Sequence, residues 1–180
     1  MKPYKIPSLN LCKSDFSDLN EGHIISEGTF GKCIAGTYKN IPTAFKVFKE
    51  TNYKNVHAEA DALLKIPNHS GIAMLIGVLT TDMPHILATK LYTFSGKPET
   101  YSSLLSKEKD QQIQDLPLFL KLLHSIGEAL KHIHSAGMLH NDLKGNNIVV
   151  EDTKGVKKCI IIDFGKACSF DQAKGTSCLF

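Results

Sequence analysis

The densest run of chemically capable side chains is His140-Asn141-Asp142-Leu143-Lys144-Gly145-Asn146-Asn147, and a further carboxylate, Asp163, closes the apolar run Ile160-Ile161-Ile162. A carboxylate can accept or orient a hydroxyl proton, and an ammonium can neutralise charge developing on an oxyanion. A carboxylate and an amide oxygen together suit a hard divalent cation. Upstream, Gly28 and Gly31 interrupt a strand-like run, and Lys46 precedes Glu59, an acid within a helical pattern. A glycine loop over phosphates, a cation that orients them, oxygen ligands for Mg²⁺ and a base beside an acceptor hydroxyl are what phosphoryl transfer requires. Singly, each feature has a plainer explanation: G-x-x-G is a common turn, A-x-K an exposed lysine, and an Asn-, Asp- and Gly-rich run a polar connection.

These residues need elements to position them. Residues 1 to about 20 are polar and turn-rich, with Pro3 and Pro7, and read as an extension. Order is expected from His23. Between His23 and Phe48, short Ile-, Val-, Phe- and Tyr-rich runs broken at Glu27-Gly28, Ala35-Gly36 and Asn40-Ile41-Pro42 predict three antiparallel strands. Val56, Glu59, Ala60, Leu63 and Leu64 have helical spacing over 56–66, stopped by Pro67 and Asn68. Strands are expected over 73–78 and 86–90, and a short helix near 101–106. A long helix follows, with Leu116, Phe119, Leu120, Leu123, Ile126, Leu130 and Ile133 on its apolar face and Gly137 as its stop. The runs 148–150 and 159–162 read as strands joined by the turn Asp152-Thr153-Lys154-Gly155.

In this order the motifs resemble those of eukaryotic-type protein kinases, serine/threonine or tyrosine-kinase-like. His140, Asp142, Leu143, Lys144 and Asn147 match the catalytic loop H-x-D-x-x-x-x-N together, which a polar turn does not explain, and Asp163-Phe164-Gly165 follows where D-F-G belongs. The resemblance implies that Asp142 handles the acceptor proton, Lys144 neutralises the transferred phosphoryl, and Asn147 and Asp163 bind Mg²⁺. It implies an ATP site from Ile25-Ser26-Glu27-Gly28-Thr29-Phe30-Gly31-Lys32-Cys33, a glycine-rich loop in which Ser26 replaces the first glycine and Cys33 the usual valine. Thr43-Ala44-Phe45-Lys46 matches V-A-I-K at Ala44 and Lys46, and Glu59 stands where the family's ion-pair partner belongs. Thr89 would guard the back of the adenine pocket, with Lys90, Leu91 and Tyr92 as hinge. Asn141 replaces an arginine that, in many relatives, contacts a phosphorylated activation loop, so control by that route is not expected.

The fold implied is α+β and protein-kinase-like. A small antiparallel β-sheet lobe with one helix (23–89) precedes a hinge and the first part of a mainly helical large lobe (90–180), after an extension at 1–22. The resemblance covers roughly 23–170, and the rest of the activation segment, its A-P-E anchor and the later helices have no counterpart. The long helix therefore lacks its family neighbours, and leaving three large apolar side chains exposed would forfeit on the order of 5 kcal/mol. A partner covering that face is an expectation.

The 180 residues allow one domain or two small lobes, and 42% hydrophobic and 22% charged residues are ordinary for a globular chain. A net charge of +3 gives no reason to expect nucleic acid. Scattered Cys12, Cys33, Cys159, Cys168 and Cys178, without C-x-x-C, read as reduced thiols in the cytoplasm. No signal peptide, membrane segment or correctly spaced prenylation box is expected. His132 and His134 read as helix-surface or packing residues, because H-x-H on a helix does not point both rings one way. The readings carried forward are an ATP-dependent kinase acting on Ser/Thr of a protein substrate, its domain truncated soon after D-F-G as a fragment or an unusual short form, a catalytically impaired nucleotide-binding regulatory module that docks to a partner, and, less favoured, a small-molecule phosphotransferase.

Overall fold

The computed structural model describes residues 11–12, 23–28, 31–49, 53–81, 83–110 and 116–175. The chain divides into two compact units, 1–60 with 74–91 and 61–73 with 92–180.

In the first unit, β1 (His23–Gly28), β2 (Gly31–Tyr38), β3 (Ile41–Phe48), β4 (Leu75–Leu79) and β5 (Ile86–Lys90) form one antiparallel sheet in the order β1-β2-β3-β5-β4. The two-residue period separates its faces. On one face Phe45, Leu79, Ile86 and Ala88 bury Leu11, and on the other Phe48 and Leu87 pack on Val56 and Ala60 of α1 (Tyr53–Lys65). Alanines and leucines free of internal glycine favour α1, and Pro67 lies just beyond its end.

The expected three strands of 23–48 are present, with two corrections. Ala35-Gly36 is not a break but lies inside β2, where a Cβ on Gly36 would sit 2.9 Å from the Phe45 ring. The glycine is there for close approach rather than for a turn. The connection between β2 and β3 falls at Lys39-Asn40, both with positive φ, so Ile41 and Pro42 are already strand. Leu11 also departs from the extension reading: it is buried, and its N–H donates to Val78 O at 2.9 Å. The fourth strand begins at Leu75 rather than Ala73, because the Ala73 amide donates to Ile161 O in the second unit's own hydrogen bonding.

In the second unit, α2 (Tyr101–Asp110) is four residues longer than expected, and its start is closed by reciprocal bonds between Thr100 and Ser103, each amide donating to the other's hydroxyl at 3.1 Å. α3 (Leu116–Ser135) carries Pro117 in its first turn, where a missing N–H costs nothing, and stops before Gly137 at φ 72°. Short β6 (Met138–Leu139) pairs with β9 (Cys168–Ser169), β7 (Ile148–Thr153) with β8 (Val156–Ile161), and α4 (Phe170–Gly175) follows. Leu122, Ile126, Ile148, Val150 and Cys159 form the core between α3 and the β7–β8 hairpin. Burial pushes the Cys159 thiol up to about 11, so it stays neutral.

The buried stripe of α3 is Leu122, Ile126, Ala129 and Ile133, and this corrects the expected face: Ile126 and Ile133 are inside, whereas Leu116, Leu120 and Leu123 are exposed. The hairpin decides the rotation, since the Cys159 amide donates to Ser125 Oγ at 2.9 Å. The opposite end of α3 holds the segment after α1. His132 Nε2 donates to Pro67 O at 2.9 Å, and its ring stacks on His69 with centroids 4.7 Å apart. Among the described residues no helix is long and apolar enough to cross a membrane.

Candidate functional site

Within the first unit, register brings the lysine of β3 to its acid. Cys33 lies opposite Lys46 and Thr89 opposite Ala44, so Cys33, Ala44, Lys46 and Thr89 share the sheet face covered by α1. From that face Lys46 Nζ donates to Glu59 Oε2 at 2.7 Å, with the lysine 24% and the glutamate 4% exposed. Lys46 also stands 5.2 Å from the centre of the Phe48 ring. Ser26 pairs with Cys33, Glu27 with Lys32 and Gly28 with Gly31, while the register slips across Ile25. Gly31 must be glycine, because a Cβ there would fall 2.0 Å from Val47 O. Thr29 and Phe30 lie outside the described residues. In the segment expected as the hinge, two amides are committed: Lys90 N donates to Met74 O at 3.0 Å and Leu91 N to Pro42 O at 2.8 Å. Tyr92 opens the second unit's continuation and is buried.

Within the second unit, the loop after α3 is held at its base by His140. The ring is buried, meets Phe164 edge-on at 4.7 Å, donates from Nε2 to Ile162 O at 3.0 Å and accepts the Asp142 amide at Nδ1 at 3.3 Å. Both nitrogens are used by the neutral tautomer, and burial lowers the pKa below 6.5 against the opposing pull of Ile162 O and the nearby carboxylates. His140 thus ties the loop to the strand end that carries Asp163.

Asp142 is clamped from three sides. Asn147 Nδ2 donates to Asp142 O at 2.8 Å and to Oδ2 at 3.1 Å, Lys144 Nζ donates to Oδ2 at 3.0 Å, and Lys166 Nζ to Oδ1 at 3.2 Å. The Lys144 hydrogen bond holds the carboxyl below the usual carboxylate range, with Lys166 adding to it, so Asp142 is ionised at neutral pH. The amide group of Asn147 spends its nitrogen on Asp142, which turns its oxygen the other way. The Asn147 carbonyl accepts the Ile162 amide at 3.0 Å, placing Asn147 beside the residue that precedes Asp163. Asp163 itself sits at φ 61° and Asn141 at φ 59°, left-handed conformations that Asn and Asp tolerate better than most residues. Asn141 Nδ2 donates to Cys168 Sγ at 3.0 Å.

An amide oxygen and a carboxylate are hard donors of the kind Mg²⁺ selects, and they fit a cation that also keeps phosphate or water ligands. Among the described residues no cluster of three His, Cys, Asp or Glu side chains forms a metal cage independent of such ligands. Lys166 was missed from the sequence. It lies outside the motifs, and its one signal is closeness in sequence to Asp163, which does not say where a flexible side chain goes.

A family model described as protein kinase domain matches residues 19–179. A probable LIM domain-containing serine/threonine-protein kinase of Dictyostelium discoideum is 28% identical over 178 residues, covering 89% of this chain and 17% of that protein. A serine/threonine-protein kinase of Arabidopsis thaliana is 27% identical, covering 83% of this chain and 25% of the relative. A serine/threonine/tyrosine-protein kinase of the same plant is 26% identical, covering 89% and 41%. The chain thus spans less than half the length of each of these relatives. The match embraces both the lysine–glutamate pair and the clamped aspartate, and the chain belongs to the protein kinase domain family.

Proposed function

We propose that this chain encodes ATP-dependent transfer of a phosphoryl group to serine or threonine hydroxyls of a protein substrate. The observation that carries this reading is the Asp142 carboxylate, ionised and held by Lys144 and Asn147. A held, ionised carboxylate can accept the hydrogen bond of an acceptor hydroxyl and orient its oxygen for attack, taking the proton as the new P–O bond forms and the bond from the γ-phosphorus to the bridging oxygen breaks, with ADP leaving. Lys144 is exposed enough to shift from Asp142 to the transferred phosphoryl, where its charge counts most in the transition state. Mg-ATP supplies the γ-phosphoryl group and the metal charge that neutralises it. Asn147 and Asp163 are the residues to hold that metal, and Lys46, steadied by Glu59, is the cation for the α- and β-phosphates. The glycine-rich segment 25–33 is the part to cover phosphate, Thr89 guards the back of the adenine pocket, and Lys90, Leu91 and Tyr92 offer backbone hydrogen bonds to adenine, the Lys90 and Leu91 amides being committed elsewhere. Serine/threonine preference is supported by Lys144 in the loop and by relatives named as serine/threonine-protein kinases. The cytoplasm is the compartment that suits a chain whose described cysteines form no disulfide.

Purified chain is incubated with Mg-ATP and a generic Ser/Thr acceptor. Phosphate incorporation that disappears in Asp142→Asn supports the enzyme. Nucleotide-dependent thermal stabilisation without turnover would favour a regulatory module, and no nucleotide effect, with Lys46→Ala indistinguishable from the parent, would refute both.

A further inference from the structure

The two ammonium groups on Asp142 do not share an oxygen. Oδ2 takes Lys144 and Asn147, both from the same loop, at 3.0 and 3.1 Å. Oδ1 takes one donor among the described residues, Lys166 at 3.2 Å, reaching in from just beyond Gly165 on a side chain that is 57% exposed. An acceptor hydroxyl that donates to this carboxylate needs a lone pair. Oδ2 already accepts two hydrogen bonds from the loop itself, so the hydroxyl takes the open lone pair of Oδ1, beside Lys166. An oxygen shared with a second donor holds Lys166 less strongly, and an exposed ion pair is worth little, so the ammonium leaves at little cost. The released ammonium stays within reach of the acceptor oxygen but has lost its counter-charge. Over the contacts observed, two ammonium groups face one carboxylate, and Lys144 is the one committed to phosphoryl charge.

We propose that Lys166 reads the acceptor: freed from Oδ1 by the hydroxyl, its ammonium pairs with an Asp or Glu side chain adjacent to the phosphorylated residue, making the site selective for acidic acceptor segments. The inference rests on the reading of Asp142 as the acceptor-orienting carboxylate. The same side chain excludes basic segments, because a third ammonium would meet two already present.

The test uses the full chain and its Lys166→Met, Lys166→Arg and Lys166→Glu variants. Three peptides are compared, identical but for Glu, Gln or Lys on both sides of one serine. Phosphorylation with Mg-ATP gives kcat/KM, and fluorescence anisotropy without nucleotide gives peptide affinity independently of turnover. Wild type should favour the Glu peptide over the Gln peptide by about fivefold, with Lys166→Arg alike. Lys166→Met should bring the ratio close to one, and Lys166→Glu should turn the preference toward the Lys peptide. The affinity order seen without any turnover would sink the kinase reading while supporting Lys166 as the anion-reading residue. Turnover with the same preference in wild type and Lys166→Met would overturn the inference, as would wild-type binding that does not discriminate or is absent for all three peptides.

Discussion

Two ionic arrangements of this molecule use the same charges in opposite ways. Lys46 and Glu59 are joined at 2.7 Å in the first unit, with Glu59 of α1 almost wholly buried. Asp142 in the second unit is 20% exposed and shared by two lysines that are each more than half exposed. A buried pair cannot be rearranged without stranding a charge in low dielectric, so it is fixed geometry. An exposed cluster is weak, screened and exchangeable. That is the property the proposed function needs, with an acceptor loosening one partner and a phosphoryl group attracting another.

Breaking the exposed cluster at its centre should have the largest effect, and on rate rather than stability. Asp142→Asn is expected to lower phosphoryl transfer by at least about a hundredfold, measured as phosphate incorporation, with an almost unchanged melting temperature. Breaking the buried pair should reach stability as well as nucleotide use. Lys46→Ala leaves the Glu59 carboxylate buried without its 2.7 Å donor and should cost about 2–3 kcal/mol of stability. For a chain of this size that is several degrees in a thermal melt.

Acid should act next, through histidines rather than through these carboxylates. His140 and His69 both titrate below 6.5, in each case chiefly because burial disfavours the charged ring; at His69 the adjacent His132 and Lys158 add to this and Glu128 opposes it. The unfolded chain takes up these protons near 6.5 and the folded chain only at lower pH, so their contribution is full above about 6.5 and is lost as pH falls through the folded values. Melts at pH 5.5 should lie below those at pH 7.5, and His69→Gln should narrow the gap. The smallest effect sharpens the comparison: Lys144→Ala should change stability by no more than about 0.5 kcal/mol, measured by denaturant unfolding, although it removes a bond to the same carboxylate.

What could be read in advance follows from the range of the interactions. The loop 140–147 was legible because its residues serve one another: Asn147 reaches back to Asp142 and His140 receives the Asp142 amide, all within one turn of chain. The end of α3 at Gly137 and the β7–β8 hairpin, with Lys154 and Gly155 at positive φ, were equally local. The pairing of Lys46 with Glu59 was legible only as a resemblance, since its geometry needs both the sheet register and the docking of α1.

By itself the sequence determined the kinds of element, the motif loop and the strand end bearing Asp163, because periodicity, turn residues and short-range hydrogen bonds are written into neighbouring positions. It did not determine which side of α3 is buried. Leu116, Leu118, Phe119, Leu120, Leu122, Leu123, Ile126, Leu130 and Ile133 wrap more than one face, and only the docked hairpin selects Leu122 and Ala129 over Leu120 and Leu123. The same holds for Leu11 in the first core and for Lys166 on Asp142. Both are contacts between residues far apart in the chain, and tertiary structure alone settles such contacts, because nothing local restrains where a distant or flexible side chain comes to rest.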